Sequence, residues 1–183
     1  FADKEFMNKV EKLVIKRTVE GIEKENLDYK GFIFAGLMNV NGEPYVIEYN
    51  VRMGDPETQV VIPRIKNDLL EVITKCLDEK INEIDLDIAE NFTTTVILAS
   101  DGYPNSYKKG DEIKNLEELL DTKIFHAGTI KKDDTVLSNG GRVIACTGYG
   151  YTLEKALKNS YKIAKNISWN NKYYRKDIGQ DLK

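Results

Sequence analysis

An Asn41-Gly42 pair stands between two runs rich in β-branched and aromatic residues, Gly31 to Val40 and Tyr45 to Met53. A two-residue turn with both central residues at positive φ matches the twist of paired strands, and Asn-Gly adopts it at little cost. The segment is therefore predicted to be an antiparallel hairpin. Side chains alternate along a strand. On the second strand Tyr45, Ile47, Tyr49 and Val51 point one way, and Val46, Glu48, Asn50 and Arg52 the other. The apolar first set predicts a central strand, and a central strand rarely turns charge inward without a partner. Glu and Asn supply hard oxygen ligands that suit Mg²⁺, and Arg can hold a phosphate through paired N–H groups. A solvated strand face explains the same alternation, and spacing alone leaves both readings open.

The rest of the chain predicts an α+β fold. Phe6, Val10, Leu13 and Val14 mark one face of a helix over residues 4–25, with Asp3 as its N-cap. After Gly54, Asp55-Pro56 reads as an N-cap followed by proline at the first helical position. A further helix begins at Asp68, with Glu71 completing a capping box and an apolar face of Leu69, Val72, Ile73, Cys76 and Leu77. The acidic stretch 78–92 reads as a loosely packed connection and the domain boundary. Beyond it, strands are expected at 93–99, 123–130, 135–137 and 142–147, a short helix at 115–121, and a helix capped by Thr152. Asn139-Gly140-Gly141 reads as a hairpin turn. Cys146-Thr147-Gly148-Tyr149-Gly150 follows a strand and opens a helix, like a dinucleotide loop, but lacks that fingerprint's third glycine.

Charge narrows the function classes. With 27 basic and 30 acidic residues the formal net charge is -3, so no basic excess exists to neutralise a nucleic-acid backbone. No apolar run is long enough to span a bilayer, and no secretory signal opens the chain, so the cytoplasm is the expected compartment. Cys76 and Cys146 are distant and flanked by apolar residues, which predicts buried free thiols. His126, the single histidine, is expected to pack or cap. The first residue is Phe1 and the chain opens directly into a helical pattern, so it reads as a piece of something longer.

Residues 48 to 59 read Glu-Tyr-Asn-Val-Arg-Met-Gly-Asp-Pro-Glu-Thr-Gln. The run Arg52, Gly54, Asp55, Pro56, Glu57 resembles the signature of glycinamide ribonucleotide synthetases, with Met53 where that family has Phe. Gly31 to Met38, Phe125 to Thr129, Asn139 to Arg142 and Arg175 to Gly179 resemble further landmarks of the family, in order. The resemblance implies that residues 1–88 are the second half of an ATP-grasp lobe and 89–183 a small β-rich C-terminal domain. It implies a ligase, a monomer, that joins glycine to 5-phosphoribosylamine through glycyl phosphate at the expense of ATP. Glu48 and Asn50 would then be ligands of Mg²⁺ or Mn²⁺, Arg52 would stabilise the transferring phosphoryl group, and Asp55 and Glu57 would contact substrate. Many ATP-grasp enzymes place a second acidic ligand about where Gly36 lies here, so phosphates and water would complete the metal shell. The nucleotide-binding lobe of that family precedes the matched region, so this chain alone is expected to be inactive. A non-catalytic folded module and a different ATP-grasp carboxylate–amine ligase are the alternatives.

Overall fold

A computed structural model describes residues 2–182. The chain forms two compact units, one from the residues up to Gly54 together with Asn67–Asp85, the other from Asp55–Lys66 together with the residues from Leu86 onward.

In the first unit the Asp3 carboxylate accepts the Phe6 N–H at 2.8 Å and starts helix α1 (Lys4–Val10). The helix continues through a π segment, Glu11–Ile15, into α2 (Lys16–Lys24). Phe6, Val10 and Val14 recur one turn apart, are buried, and pack on Ala35 and Leu37 of the hairpin. Gly21 lies inside α2, and a Cβ added there would meet no atom within 4 Å. Gly21→Ala is therefore expected to stabilise the unit by about 0.5–1 kcal/mol, through the backbone entropy glycine loses in a helix, measured by urea denaturation.

Strands β1 (Phe34–Val40) and β2 (Glu43–Asn50) pair antiparallel across Asn41 at φ 53° and Gly42 at φ 83°, the turn expected from Asn-Gly. Two corrections concern β2. It pairs with β1 alone among the described residues, so it is not a central strand here. Its alternation is also broken. Gly36 faces Glu48 but Leu37 faces Val46, leaving Ile47 as the extra residue of a bulge. Cross-strand partners share a face. Val46 and Tyr49 thus go with Leu37 and Ala35 toward the helix, whereas Tyr45, Glu48 and Asn50 go with Met38, Gly36 and Phe34 to the opposite face.

Helix α4 (Leu69–Leu77) begins where Asp68 Oδ1 accepts the Leu70 N–H at 2.8 Å. The stretch after it is not slack. In the first unit Glu79 pairs with Lys30 at 2.7 Å and the Asp85 carbonyl accepts from the Asn67 amide at 3.0 Å. In the second, Lys66 N–H donates to the Asp87 carbonyl at 2.9 Å and Ala89 N–H to the Arg64 carbonyl at 2.8 Å. Its acidic side chains and backbone carbonyls thus find partners that composition could not reveal.

The second unit is built on an antiparallel sheet of four strands: β3 (Phe92–Ser100), β4 (Thr122–His126), β7 (Arg142–Gly150) and β8 (Lys172–Tyr173), in the order β4-β7-β3-β8. Strands β5 (Thr129–Lys132) and β6 (Thr135–Ser138) form a separate hairpin turned at Asp133, φ 53°. Helix α5 (Leu153–Asn166) starts where Thr152 Oγ1 accepts the Lys155 N–H at 3.1 Å, and lies on one face of the sheet. Val96, Leu98, Ile144 and Cys146 of the sheet meet Ile163 and Ile167 there. Thr94 and Ser160 hydroxyls bond across the same contact at 3.0 Å. Burial pushes the Cys146 thiol up to about 12, so it stays protonated and packs as a small apolar group.

Three further expectations are corrected. Residues 115–121 form no helix: Asn115 stands at φ 60°, and its amide donates to the Asn166 carbonyl at 3.0 Å. Leu116 and Leu119 still reach the core from this irregular path. The strand expected over 123–130 is divided between β4 and β5. Gly128 sits there against Gly140, where an added Cβ would lie 2.6 Å from its Cα, a crossing only small residues allow. Finally, Gly140-Gly141 joins strands of different sheets rather than turning a hairpin, and the Tyr103 ring fills the space a Gly141 Cβ would need.

Candidate functional site

The face of the hairpin turned away from α1 brings two of the expected residues together. Asn50 Nδ2 donates to Glu48 Oε1 at 3.1 Å. Gly36 lies directly across the ladder from Glu48, and a Cβ there would be 3.0 Å from Glu48 Cγ. The missing side chain is what gives Glu48 room to lie over the strand. Turning the Asn50 amide about its last torsion exchanges nitrogen for oxygen, so the pair can present either a hydrogen bond or two oxygens side by side. Two hard oxygen donors on a rigid hairpin suit Mg²⁺ or Mn²⁺. They are a partial set, because no group of three or more His, Cys, Asp or Glu is placed to hold a metal among the described residues.

Arg52 lies beyond the last residue of β2, not within the strand as the alternation implied. Its guanidinium is exposed and donates to the Met53 carbonyl at 2.9 Å, leaving further N–H groups open to solvent.

Asp55 and Glu57 belong to the second unit. The expectation that Asp55 caps a helix is overturned. Helix α3 (Thr58–Val61) begins three residues later, the Asp55–Pro56 bond is cis, and Glu57 occupies the N-cap position without a side-chain cap bond. Asp55 instead meets Arg142, whose Nη2 donates to its Oδ2 at 2.8 Å and whose Nη1 donates to its carbonyl at 3.0 Å. Gln59 Nε2 holds the other carboxylate oxygen at 3.1 Å. Arg142 is positioned for this by a bulge in β7, where Ala99 pairs with Arg142 but Leu98 pairs with Ile144. Thr147 Oγ1, 3.2 Å from the Gln59 carbonyl and 3.1 Å from Thr95 Oγ1, fastens the other end of this segment to the sheet.

The Asp55–Arg142 pair is 52% and 40% exposed, so solvent screens it and its direct contribution is about 0.5–1 kcal/mol. Asp55→Ala is expected to loosen α3 locally. The Val60 and Val61 amides, both bonded to the Glu57 carbonyl, should exchange about threefold faster with deuterium while the core strands keep their protection.

His126 is exposed at the end of β4, its Nδ1 3.1 Å from Thr129 Oγ1. Gly148 and Gly150, which resembled a dinucleotide loop, serve packing: an added Cβ would strike α5 in each case.

A hairpin backed by a helix, followed by an antiparallel sheet carrying one helix, matches the end of an ATP-grasp domain and the C domain that follows it. Two family models divide the chain along these lines. Residues 1–58 match the phosphoribosylglycinamide synthetase ATP-grasp (A) domain, and residues 93–181 match the phosphoribosylglycinamide synthetase C domain. The chain belongs to the phosphoribosylglycinamide synthetase family. It is 41% identical over 176 residues to the phosphoribosylamine–glycine ligase of Caldanaerobacter subterraneus, covering 96% of this chain and 42% of that protein. It is 44% identical over 170 residues to the phosphoribosylamine–glycine ligase of Fusobacterium nucleatum, covering 91% of this chain and 40% of that protein. The crystal structure of phosphoribosylamine–glycine ligase from Thermotoga maritima superposes with a TM-score of 0.84 at 36% identity, over 96% of this chain and 43% of that one. The chain thus spans about two fifths of the length of these relatives.

Proposed function

We propose that the protein carrying this chain is an ATP-dependent ligase that joins glycine to 5-phosphoribosylamine, giving glycinamide ribonucleotide, ADP and phosphate. The observation that carries this reading is the agreement, through nearly the whole chain, with ligases of that activity in both sequence and fold. The open hairpin face supports it. Met38 and Tyr45 are 53% and 59% exposed, apolar surface of the kind a completed ATP-grasp lobe would cover.

In this reading residues 1–88 are the C-terminal portion of the ATP-grasp domain and 89–183 the C-terminal domain. Glu48 and Asn50 would hold a Mg²⁺ or Mn²⁺ ion that neutralises charge on the phosphates of ATP. Arg52, exposed and close to that face in sequence, would steady the phosphoryl group as it passes to the glycine carboxylate. Asp55 and Glu57 would contact substrate, with Asp55 held in place by Arg142. These residues act by position and charge, which is most of what phosphoryl transfer requires. The ligase would work as a cytoplasmic monomer. No helix among the described residues is long and apolar enough to cross a membrane.

Radiolabelled glycine tests the reaction. With the full-length protein, label should become retained on an anion exchanger only when ATP, Mg²⁺ and phosphoribosylamine are all present. Retention without ATP would overturn the reading, and no retention under any combination would overturn it in favour of a module that does no chemistry.

A further inference from the structure

The outer side of α5 carries a basic groove that the ligase chemistry leaves unused. Lys158, Lys162 and Lys165 fall at successive helical turns and so share one edge of the helix. Lys176 joins them from the C-terminal tail, and Tyr161 and Tyr174 complete the lining of a concavity of about 700 Å³. None of the four ammonium groups has an ion-pair or hydrogen-bond partner among the described residues. The concentration of charge is local. Residues 153–176 hold seven Lys or Arg and one carboxylate, Glu154, in a chain whose formal net charge is -3. Like charges one turn apart destabilise a helix, so this arrangement works against the fold unless an anion lies over it.

The groove is also preformed. The Tyr161 hydroxyl donates to the Arg175 carbonyl at 3.1 Å and accepts the Ile178 N–H at 3.0 Å, which ties the tail to α5. Lys172 donates to the Ala164 carbonyl at 2.8 Å and to the Ile167 carbonyl, and stands 5.2 Å above the Tyr174 ring. The Tyr161 and Tyr174 rings lie tilted, 6.4 Å between centroids. A ligand therefore needs to order only the four lysine side chains.

We propose that this groove binds a compact anion carrying two or more linked phosphate groups, either free or as the phosphate end of a nucleotide. A cavity of this size suits a small molecule. Four unpaired ammonium groups around it match several phosphate oxygens at once, and the tyrosine rings offer an apolar wall to a sugar or base. The acidic remainder of the chain would repel a long nucleic-acid strand that extended past the groove.

Calorimetric titration of the full-length protein with inorganic tripolyphosphate, orthophosphate and ATP tests this. The wild type is compared with a Lys162→Gln, Lys165→Gln, Lys176→Gln triple variant and with the corresponding Lys→Arg variant, melting temperatures serving as the folding check. Tripolyphosphate is expected to bind at least about tenfold more tightly than orthophosphate, and the Gln variant to lose at least about tenfold while the Arg variant retains affinity. A lysine-dependent component with tripolyphosphate assigns the phosphate chain as sufficient; one seen with ATP alone assigns the nucleotide. Equal binding by wild type and Gln variant would overturn the proposal, because the anion would then sit elsewhere. So would orthophosphate binding as tightly as tripolyphosphate, or a lysine-dependent preference for RNA or an acidic polypeptide with no binding of the small anions. Loss of ligase activity in the Gln variant is not expected, so failure here and failure of the ligase reading remain separable.

Discussion

Glu48→Ala in the full-length protein is expected to lower ADP release with glycine and phosphoribosylamine by at least ~10²-fold, the effect typical of removing a charge clamp on a transferring phosphoryl group. The exposed Glu48 side chain bonds only to Asn50 among the described residues, so its removal leaves the core of α1, Ala35 and Leu37 untouched. Circular dichroism and melting temperature should therefore stay near wild type, which separates a chemical defect from unfolding. Glu48→Gln keeps the volume and the hydrogen bond to Asn50 while losing the charge, and should be nearly as impaired. Full activity in both variants would make this face a solvated strand surface, the reading that strand alternation by itself also allowed.

The second large effect concerns stability. Gly148→Ala should cost about 3 kcal/mol, the upper range for forcing an extra methyl into a packed contact. A Cβ at this position would lie 2.3 Å from Ser160 N and 2.5 Å from the Ala156 carbonyl oxygen, both in the backbone of α5. Backbone in the middle of a helix cannot move aside as a flexible side chain can, so α5 must lift from β7 and from the core formed by Ile144, Cys146 and Ile163. For a protein of this size the melting temperature should fall by about 10 °C. Gly21→Ala, the same change of residue type in open space, is expected to shift stability the other way. The opposite signs isolate close helix–strand approach as the cause, and an unchanged melting temperature for Gly148→Ala would contradict that spacing.

What could be read from the sequence depended on how local the deciding interaction was. Asn41-Gly42, the Asp3 and Asp68 caps and Thr152 act through the next two or three residues, and each appears where its chemistry requires. The bulge at Ile47 could not be read that way, because it depends on how β2 registers against β1, and strict alternation wrongly placed Val46 beside Glu48. Asp55 illustrates the same limit. Asp-Pro before a helical pattern suggests a cap, yet its actual partner, Arg142, lies 87 residues away and reaches it through a second bulge. Residues 115–121 carry leucines at helix-like spacing, but Asn115 turns left-handed and the leucines reach the core along an irregular path. Among the candidate site residues, Glu48 and Asn50 were legible as neighbours two apart on one strand, whereas Arg52 falls past the strand end. The lysines of α5 stand at spacings of four and three, but a solvated helix edge carries the same pattern, and the groove depends on Lys176 and Tyr174 of the distant tail.

The most direct measurement is ADP release by the full-length protein with glycine and phosphoribosylamine supplied together and then each omitted, alongside the isolated 183-residue chain. A glycine-specific ligase predicts release only when both are present, and none from the isolated chain. Release that persists at the same rate without glycine would contradict it and assign the protein to another ATP-grasp reaction.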